Sequence, residues 1–305
     1  MLFKEILDQK FENLEPIFDT LFNLVLKNQA HSGDLLLVRE NGFLSEASDP
    51  NDSDKIKLFY NIGEGLDFHC ETTCHNYIKN YISETLNMKY EDYKQLHIYT
   101  EERSNEIDRI LGEEVMSIQT EMMIYLKIWE GENFLKKMYQ LSRLIDGRAY
   151  DWHLSIRFGK RGPSGSLEKH EILKEIKKSF KTHIPNLFDS FSYCHRPQLR
   201  NAIAHSQYAM LGRTILLNNH IEGKSGHQHD VSFDEWVQIF HESLILFTLY
   251  EMLLKRIRQY YYDLTKPFRL KKEVRVTRLY PMPATFPIVL YSRDVFQDWS
   301  PYPNT

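Results

Sequence analysis

Arg200, Asn201 and His205 stand together in the segment LRNAIAHS, Leu199 to Ser206. An imidazole takes up and releases a proton near neutral pH, with an ordinary pKa of about 6.5. A guanidinium presents a fixed fork of donors that matches a phosphate or carboxylate. An asparagine amide offers both a donor and an acceptor. On a helix, residues four apart lie about 40° apart around the axis, so Asn201 and His205 share a face. Arg200 and His205 are five apart, about 140° around the axis, so a single helix aims them poorly at one phosphate. The chemistry within reach of these side chains is proton transfer beside a bound anion.

The string Arg-Asn-x-x-x-His carries small residues at Ala202 and Ala204. A polar loop follows it, then a long apolar helix pattern opening at SFDEW, Ser232 to Trp236. This combination resembles the HEPN family of all-helical nucleases, marked by an Arg-x(4 to 6)-His signature. The resemblance covers about residues 105–265. It implies a homodimer in which two motifs face each other across a two-fold axis in one cleft. It also implies RNA cleavage that needs neither metal nor cofactor. The 2′-hydroxyl attacks the adjacent phosphate and leaves a 2′,3′-cyclic phosphate and a 5′-hydroxyl. In that scheme His205 is general base or acid, Arg200 neutralises charge on the phosphate oxygens, and Asn201 orients His205 or bonds the phosphate. The need for a 2′-hydroxyl excludes DNA. The implied setting is a toxin or antiviral abortive-infection effector acting on tRNA or mRNA, with a regulatory partner or antitoxin. Some HEPN toxins carry His-x-Tyr; here the string His205-Ser206-Gln207-Tyr208 is one residue longer. Two other readings compete: a non-catalytic HEPN module that binds RNA or nucleotide, and an unrelated helical protein-interaction domain.

Further residues are candidates for RNA contact. Arg196 lies one turn before Arg200, and Tyr208 falls on the His205 face if the helix continues. Lys255, Arg256 and Arg258 open a stretch to Arg278 with nine basic residues against Asp263 and Glu273. That stretch suits a polyanion, or equally a solvated helix end followed by a charged edge strand. Tyr260, Tyr261 and Tyr262 could stack bases or pack the end of a helix. His227 and His229 sit in a polar, glycine-containing segment. It reads as a solvated loop, with an RNA-contact role as the alternative. Cys70 and Cys74, flanked by His69 and His75, are four apart and could bind one metal from a helix, whereas structural zinc sites use tighter pairs; they read as buried or half-buried helix residues. Lys160 and Arg161 in GKRGPSG lack the spacing of a phosphate-binding loop.

The elements that must hold these residues are mostly helical. Apolar positions recur at helical spacing over Leu2–Leu26, with Pro16 expected to kink or divide the helix. Leu35–Val38 suggests a strand, Ser45–Asp54 an exposed acidic loop, and Lys55–Ile98 helix broken at Gly63 and Gly65. Thr100 resembles a helix cap. A long helix follows over Ser104–Ile145, interrupted at Gly131. Gly159–Ser166 reads as a loop, and Ser166 as the start of the next helix. Thr214–Ser232 reads as a hairpin or excursion before the last helix. The tail reads as two short strands or an extended arm. The expected organisation is a helical N-terminal region (1–104), a HEPN-like all-α bundle (105–265) and a short β-containing arm (266–305).

Composition sets the background. The chain has 305 residues and a net charge of −4. Residues 1–160 hold 18 Lys+Arg against 28 Asp+Glu, and residues 161–305 hold 20 against 14, so the motif lies in the basic half. The first hundred residues, with 17 acidic against 9 basic, are a candidate partner surface. Three cysteines do not make a disulfide scaffold, which points to a reducing cytoplasm. No apolar run approaches the ~20 residues of a membrane span, so no membrane is expected.

Overall fold

The computed structural model describes residues 1–49, 52–63, 65–157, 167–279, 282–293 and 298–302. Along the chain its helices are α1 (Lys4–Asn28), α2 (Asp34–Glu40), α3 (Gly65–Ile82), α4 (Tyr90–Gln95) and α5 (Ser104–Glu130). They continue with α6 (Glu132–Ile145), α7 (Lys169–His183), α8 (Pro185–Cys194), α9 (Pro197–Ala204) and α10 (Phe233–Thr265). The strands are β1 (Phe43–Asp49), β2 (Asp52–Asn61), β3 (Ile156–Arg157), β4 (Leu167–Glu168) and β5 (Tyr208–Leu211). After them come β6 (Thr214–Leu217), β7 (Asp230–Ser232), β8 (Lys271–Arg278), β9 (Ala284–Arg293) and β10 (Asp298–Pro301). The protein is mostly helical, with small sheets and a β-containing C-terminal arm.

Two compact units interleave along the chain. One gathers Met1–Ile17, Thr72–Gly131 and Asn186–Leu249; the other gathers Phe18–Glu71, Glu132–Pro185 and Tyr250–Thr305. Neither coincides with the consecutive stretches 1–104, 105–265 and 266–305.

The first unit is built on an aromatic core. Trp129 of α5 meets Phe191 of α8 edge-on at 5.0 Å, and Tyr125 lies against Trp236 of α10 at 5.6 Å. Phe3, Tyr90, Tyr93, Ile110 and Val237 form a second buried cluster. The buried carboxylate of Glu121 accepts from Trp236 Nε1 (2.6 Å) and Tyr81 OH (3.0 Å), which satisfies a charge that would otherwise be costly inside. Strands β5, β6 and β7 form an antiparallel sheet in that order. Arg213, in the β5–β6 turn, makes a bidentate pair with buried Glu114 of α5 (2.9 and 3.1 Å), fixing the hairpin to that helix.

The second unit packs α6 against α7 and against α2. Helix α7 opens with a capping box in which Glu168 N donates to Glu171 Oε2 at 2.7 Å. The C-terminal strands form a three-stranded antiparallel sheet ordered β10-β9-β8. Helix α10, which serves both units, is buried on nearly every side from Trp236 to Tyr250. It is long and apolar enough to cross a bilayer, yet 78% of that apolar window is buried in the protein, as in a core helix.

Several expectations need correction. Pro16 does not divide α1, which runs through it. The lost hydrogen bond is tolerated beside the buried Leu14, Phe18 and Leu21. Leu35–Val38 is helix α2, with all four side chains buried. A short apolar run has no periodicity to separate helix from strand, and leucine is a good helix former. Of the segment expected as a loop, Ser45–Asp49 lies in strand β1 and Asp52–Asp54 in strand β2, which pair with each other; their Glu and Asp residues are poor strand formers, so composition hid them. Lys55–Asn61 is likewise strand, and helix begins only at Gly65. Thr100 makes no side-chain cap; a short 3-10 turn, Glu101–Arg103, leads into α5. Among its described residues the tail has three strands, where two short strands or an extended arm were expected. The Gly159–Ser166 segment, with Lys160 and Arg161, lies outside the described residues, as does the side chain of His69.

Candidate active site

The site is carried by α9 in the first unit. Pro197 occupies the first turn, where its missing N–H costs nothing. Tyr125 of α5 fixes the corner before it: its hydroxyl donates to Cys194 O (2.7 Å) and accepts from Arg196 N (3.3 Å). Complete burial raises the pKa of this hydroxyl, which stays a neutral donor. Leu199, Ala202 and Ile203 are buried, and α9 packs on α5. The small Ala202 permits that approach.

The helix ends at Ala204. His205 still donates its amide to Asn201 O (3.0 Å), Ser206 turns left-handed at φ +53°, and Gln207 N returns to Ala202 O (2.8 Å). A left-handed residue just past the last helical turn is the ordinary stop signal, though glycine is commoner there. The chain then enters β5. Tyr208 is therefore half-buried in a strand opposite Leu217, and the helical-face argument for it fails.

Arg200 donates from Nη1 to Oε1 of Glu130, the last residue of α5, at 2.6 Å. Both side chains stay partly open, at 27% and 33% exposure. His205 is exposed, and its ring makes no hydrogen bond or ion pair among the described residues. The Asn201 side chain, half-buried, is likewise unbonded among them. α9 and its capping residue thus present an anchored cation and an exposed imidazole with no bond among the described residues.

Arg196 is committed elsewhere. It pairs with Glu235, bonds Gln228 Oε1 (3.0 Å) and Tyr193 O (3.1 Å), and stacks on the Tyr193 ring at 5.1 Å. Its fork holds the entry to α9 more than it offers donors to a ligand. Gln198 makes a two-bond pair with the backbone of Gln228 (2.7 and 2.8 Å), and Asn219 Nδ2 donates to Gln198 O (2.9 Å). These bonds clamp the 218–229 segment onto the first turn of α9. Glu130 and this clamp escaped the sequence reading, because a Glu before a glycine and a Gln in a short helix carry no pattern of their own.

Lys255, Arg256 and Arg258 lie on α10 within the second unit. Arg256 pairs with Asp19 and sits over the Phe22 ring at 4.1 Å. Tyr261 is fully buried and Tyr260 packs edge-on against Phe22, so two of the three tyrosines serve packing. β8 is an edge strand of its sheet, in line with a charged helix end followed by an edge strand. Cys70 is exposed, against the expected burial, while Cys74 is half-buried and Cys194 buried. Among the described residues no group of three His, Cys, Asp or Glu side chains could hold a metal ion.

Comparison of the chain with protein-family models, with curated proteins and with solved structures finds no match.

Proposed function

We propose that the protein is a metal-independent endoribonuclease of the HEPN type, with Arg200, Asn201 and His205 as its active residues. The observation that carries this reading is the pairing of an anchored Arg200 on a short helix with an exposed His205 that caps its end, unbonded among the described residues. His205 is open to a substrate, and its ring has no partner among the described residues that a substrate would have to displace. Glu130 occupies one edge of the Arg200 fork and leaves its other donors for a phosphate oxygen. His205 takes the proton of the 2′-hydroxyl as the O2′–P bond forms, the P–O5′ bond breaks, the departing 5′-oxygen takes a proton from the second motif of the dimer, and Arg200 stabilises the charge that develops on the non-bridging oxygens. Following the resemblance, the protein works in the cytoplasm as a homodimer and is a toxin or antiviral effector acting on tRNA or mRNA. Its activity is held in check by a partner, for which the acidic first hundred residues are the candidate surface.

The test is incubation with total RNA in EDTA, beside the His205→Ala variant. Cleavage that survives EDTA and vanishes in the variant supports the reading. RNA binding without cleavage assigns the same residues to a non-catalytic module, and neither binding nor cleavage favours a protein-interaction domain.

A further inference from the structure

In the proposed reaction one motif lacks what the second motif of the dimer supplies. A face of the first unit must therefore hold two copies together with both Arg200 side chains at one cleft. Helix α5 carries such a face. Gly112, Met116, Gln119, Met123 and Lys127 are exposed on it, and Glu130, partner of Arg200, closes the row. At 100° per residue these six positions fall within an arc of about 80° over about five turns. Met116 and Met123 are 65% and 58% exposed. They are seven residues apart, the spacing of a seam between paired helices. Other exposed apolar side chains of this unit, Ile98, Tyr99, Leu211 and Ile221, lie in loops or at a strand end.

Gly112 gives a second, independent sign. It lies inside a 27-residue helix, where glycine is a poor helix former. A Cβ at this position would meet nothing within 4 Å among the described residues, so no neighbour in the chain demands so small a residue. The close approach of a second helix does. Methionine, unbranched and adaptable, suits the surface between two copies. The charges beside the row are engaged within the chain: Arg109 with Glu113 (2.5 Å), Lys127 over the Tyr77 ring (5.5 Å) and Arg200 with Glu130 (2.6 Å).

The position of Arg200 decides the direction of pairing. With Gly112 of one helix opposite Glu130 of the other, the two Glu130 residues would stand about 27 Å apart along the axis, too far for one phosphodiester. With both helices running the same way, each residue of the row meets its own copy. The two Glu130 backbones then come within about 10 Å, the usual distance between packed helices. Each Glu130 carries its own Arg200, so the end of the seam alternates carboxylate and guanidinium and no like charges face each other unpaired.

We infer that the α5 face from Gly112 to Glu130 is the dimer seam, packed in parallel against the same face of a second copy about an axis along the helices. The inference rests on the nuclease reading, which calls for two motifs in one cleft. The seam ends at Glu130, so it delivers both Arg200 side chains to the same end of the assembly.

The experiment places single cysteines in the full-length protein. With Cys70 and Cys74 changed to serine, Met116→Cys and Met123→Cys are each oxidised at micromolar concentration and read by non-reducing electrophoresis. In the parallel seam each cysteine faces its own copy, within the Cα separation of about 4.4–6.8 Å that a disulfide spans. Each variant should therefore link to itself. The double variant Met116→Glu/Met123→Glu sets four carboxylates in the seam at positions that are exposed in the single chain. It should keep its helical circular dichroism, sediment as a monomer and cleave RNA in EDTA about 10²-fold more slowly. Met88→Glu, an exposed position outside α5, should leave both the dimer and the rate unchanged. If neither cysteine variant links to itself, the inference is overturned, and linking only in a mixture of the two identifies an antiparallel pair. A double variant that stays dimeric, or one that is monomeric and fully active, also overturns it. A monomeric wild type does the same. RNA cleavage in any of these cases leaves the chemistry of His205 standing. Self-linking of both cysteine variants in a protein that cleaves no RNA supports the seam and removes the nuclease reading.

Discussion

Acidification is expected to weaken the first unit through one residue, His241. It is completely buried on α10 and uses both ring nitrogens: Nδ1 donates to Val237 O at 2.7 Å, and Nε2 accepts from Phe3 N at 2.9 Å. Only the neutral ring can do both, and burial pushes its pKa down to about 3. In the unfolded chain an imidazole titrates near 6.5. The folded value is the lower one, so the unfolded state binds the proton first as pH falls. The stabilisation is complete above about pH 6.5 and is lost progressively as pH falls toward 3. Each unit in that window is worth about 1.4 kcal/mol, so His241 alone should cost ~2 kcal/mol between pH 7.5 and 5. The assay is urea unfolding followed through tryptophan fluorescence at pH 7.5, 6.5 and 5, in wild type and His241→Phe. The variant leaves the Phe3 amide without its acceptor, a cost of about 1–3 kcal/mol that does not vary with pH. The stability advantage of wild type over the variant should therefore shrink by ~2 kcal/mol on acidification. Parallel pH dependence in the two proteins would refute the reasoning.

Two other substitutions probe the site and its support. Arg200→Lys keeps the charge but loses the fork, so RNA cleavage should fall by about 10²-fold or more. Because the Glu130 pair is partly exposed, unfolding free energy should change by less than ~1 kcal/mol. Arg213→Ala strips buried Glu114 of its bidentate partner and frees the β5–β6 turn. Unfolding free energy should fall by ~2–3 kcal/mol, discounted for the partial exposure of Arg213, and hydrogen exchange should rise across 208–217.

The helices that hold the motif were legible because their apolar residues repeat at helical spacing over many turns. α10 and the α5–α6 pair with its break at Gly131 are the clear cases. Where the pattern was short or polar it misled: Leu35–Val38 is a helix and Ser45–Asp49 a strand, because two turns or five mostly polar residues cannot establish a period. The interleaving of the two units was not legible, since it depends on segments far apart in sequence packing together. Within the site, the motif itself could be read from residue types. The end of α9 at Ala204 could not, because a left-handed Ser206 has no glycine to announce it, and that turn moved Tyr208 from a helix face to a strand. Glu130, on a different helix, became a partner of Arg200 only through folding.

The central claim is that His205 drives metal-free RNA cleavage through the 2′-hydroxyl. The most direct measurement is mass analysis of a defined RNA oligonucleotide and its all-2′-deoxy counterpart after incubation with the protein in EDTA, beside His205→Ala. The account expects cleavage of the RNA alone, fragments ending in 2′,3′-cyclic phosphate and 5′-hydroxyl, and no cleavage by the variant. Cleavage of the deoxy strand, fragments with other ends, or full activity in His205→Ala would contradict it.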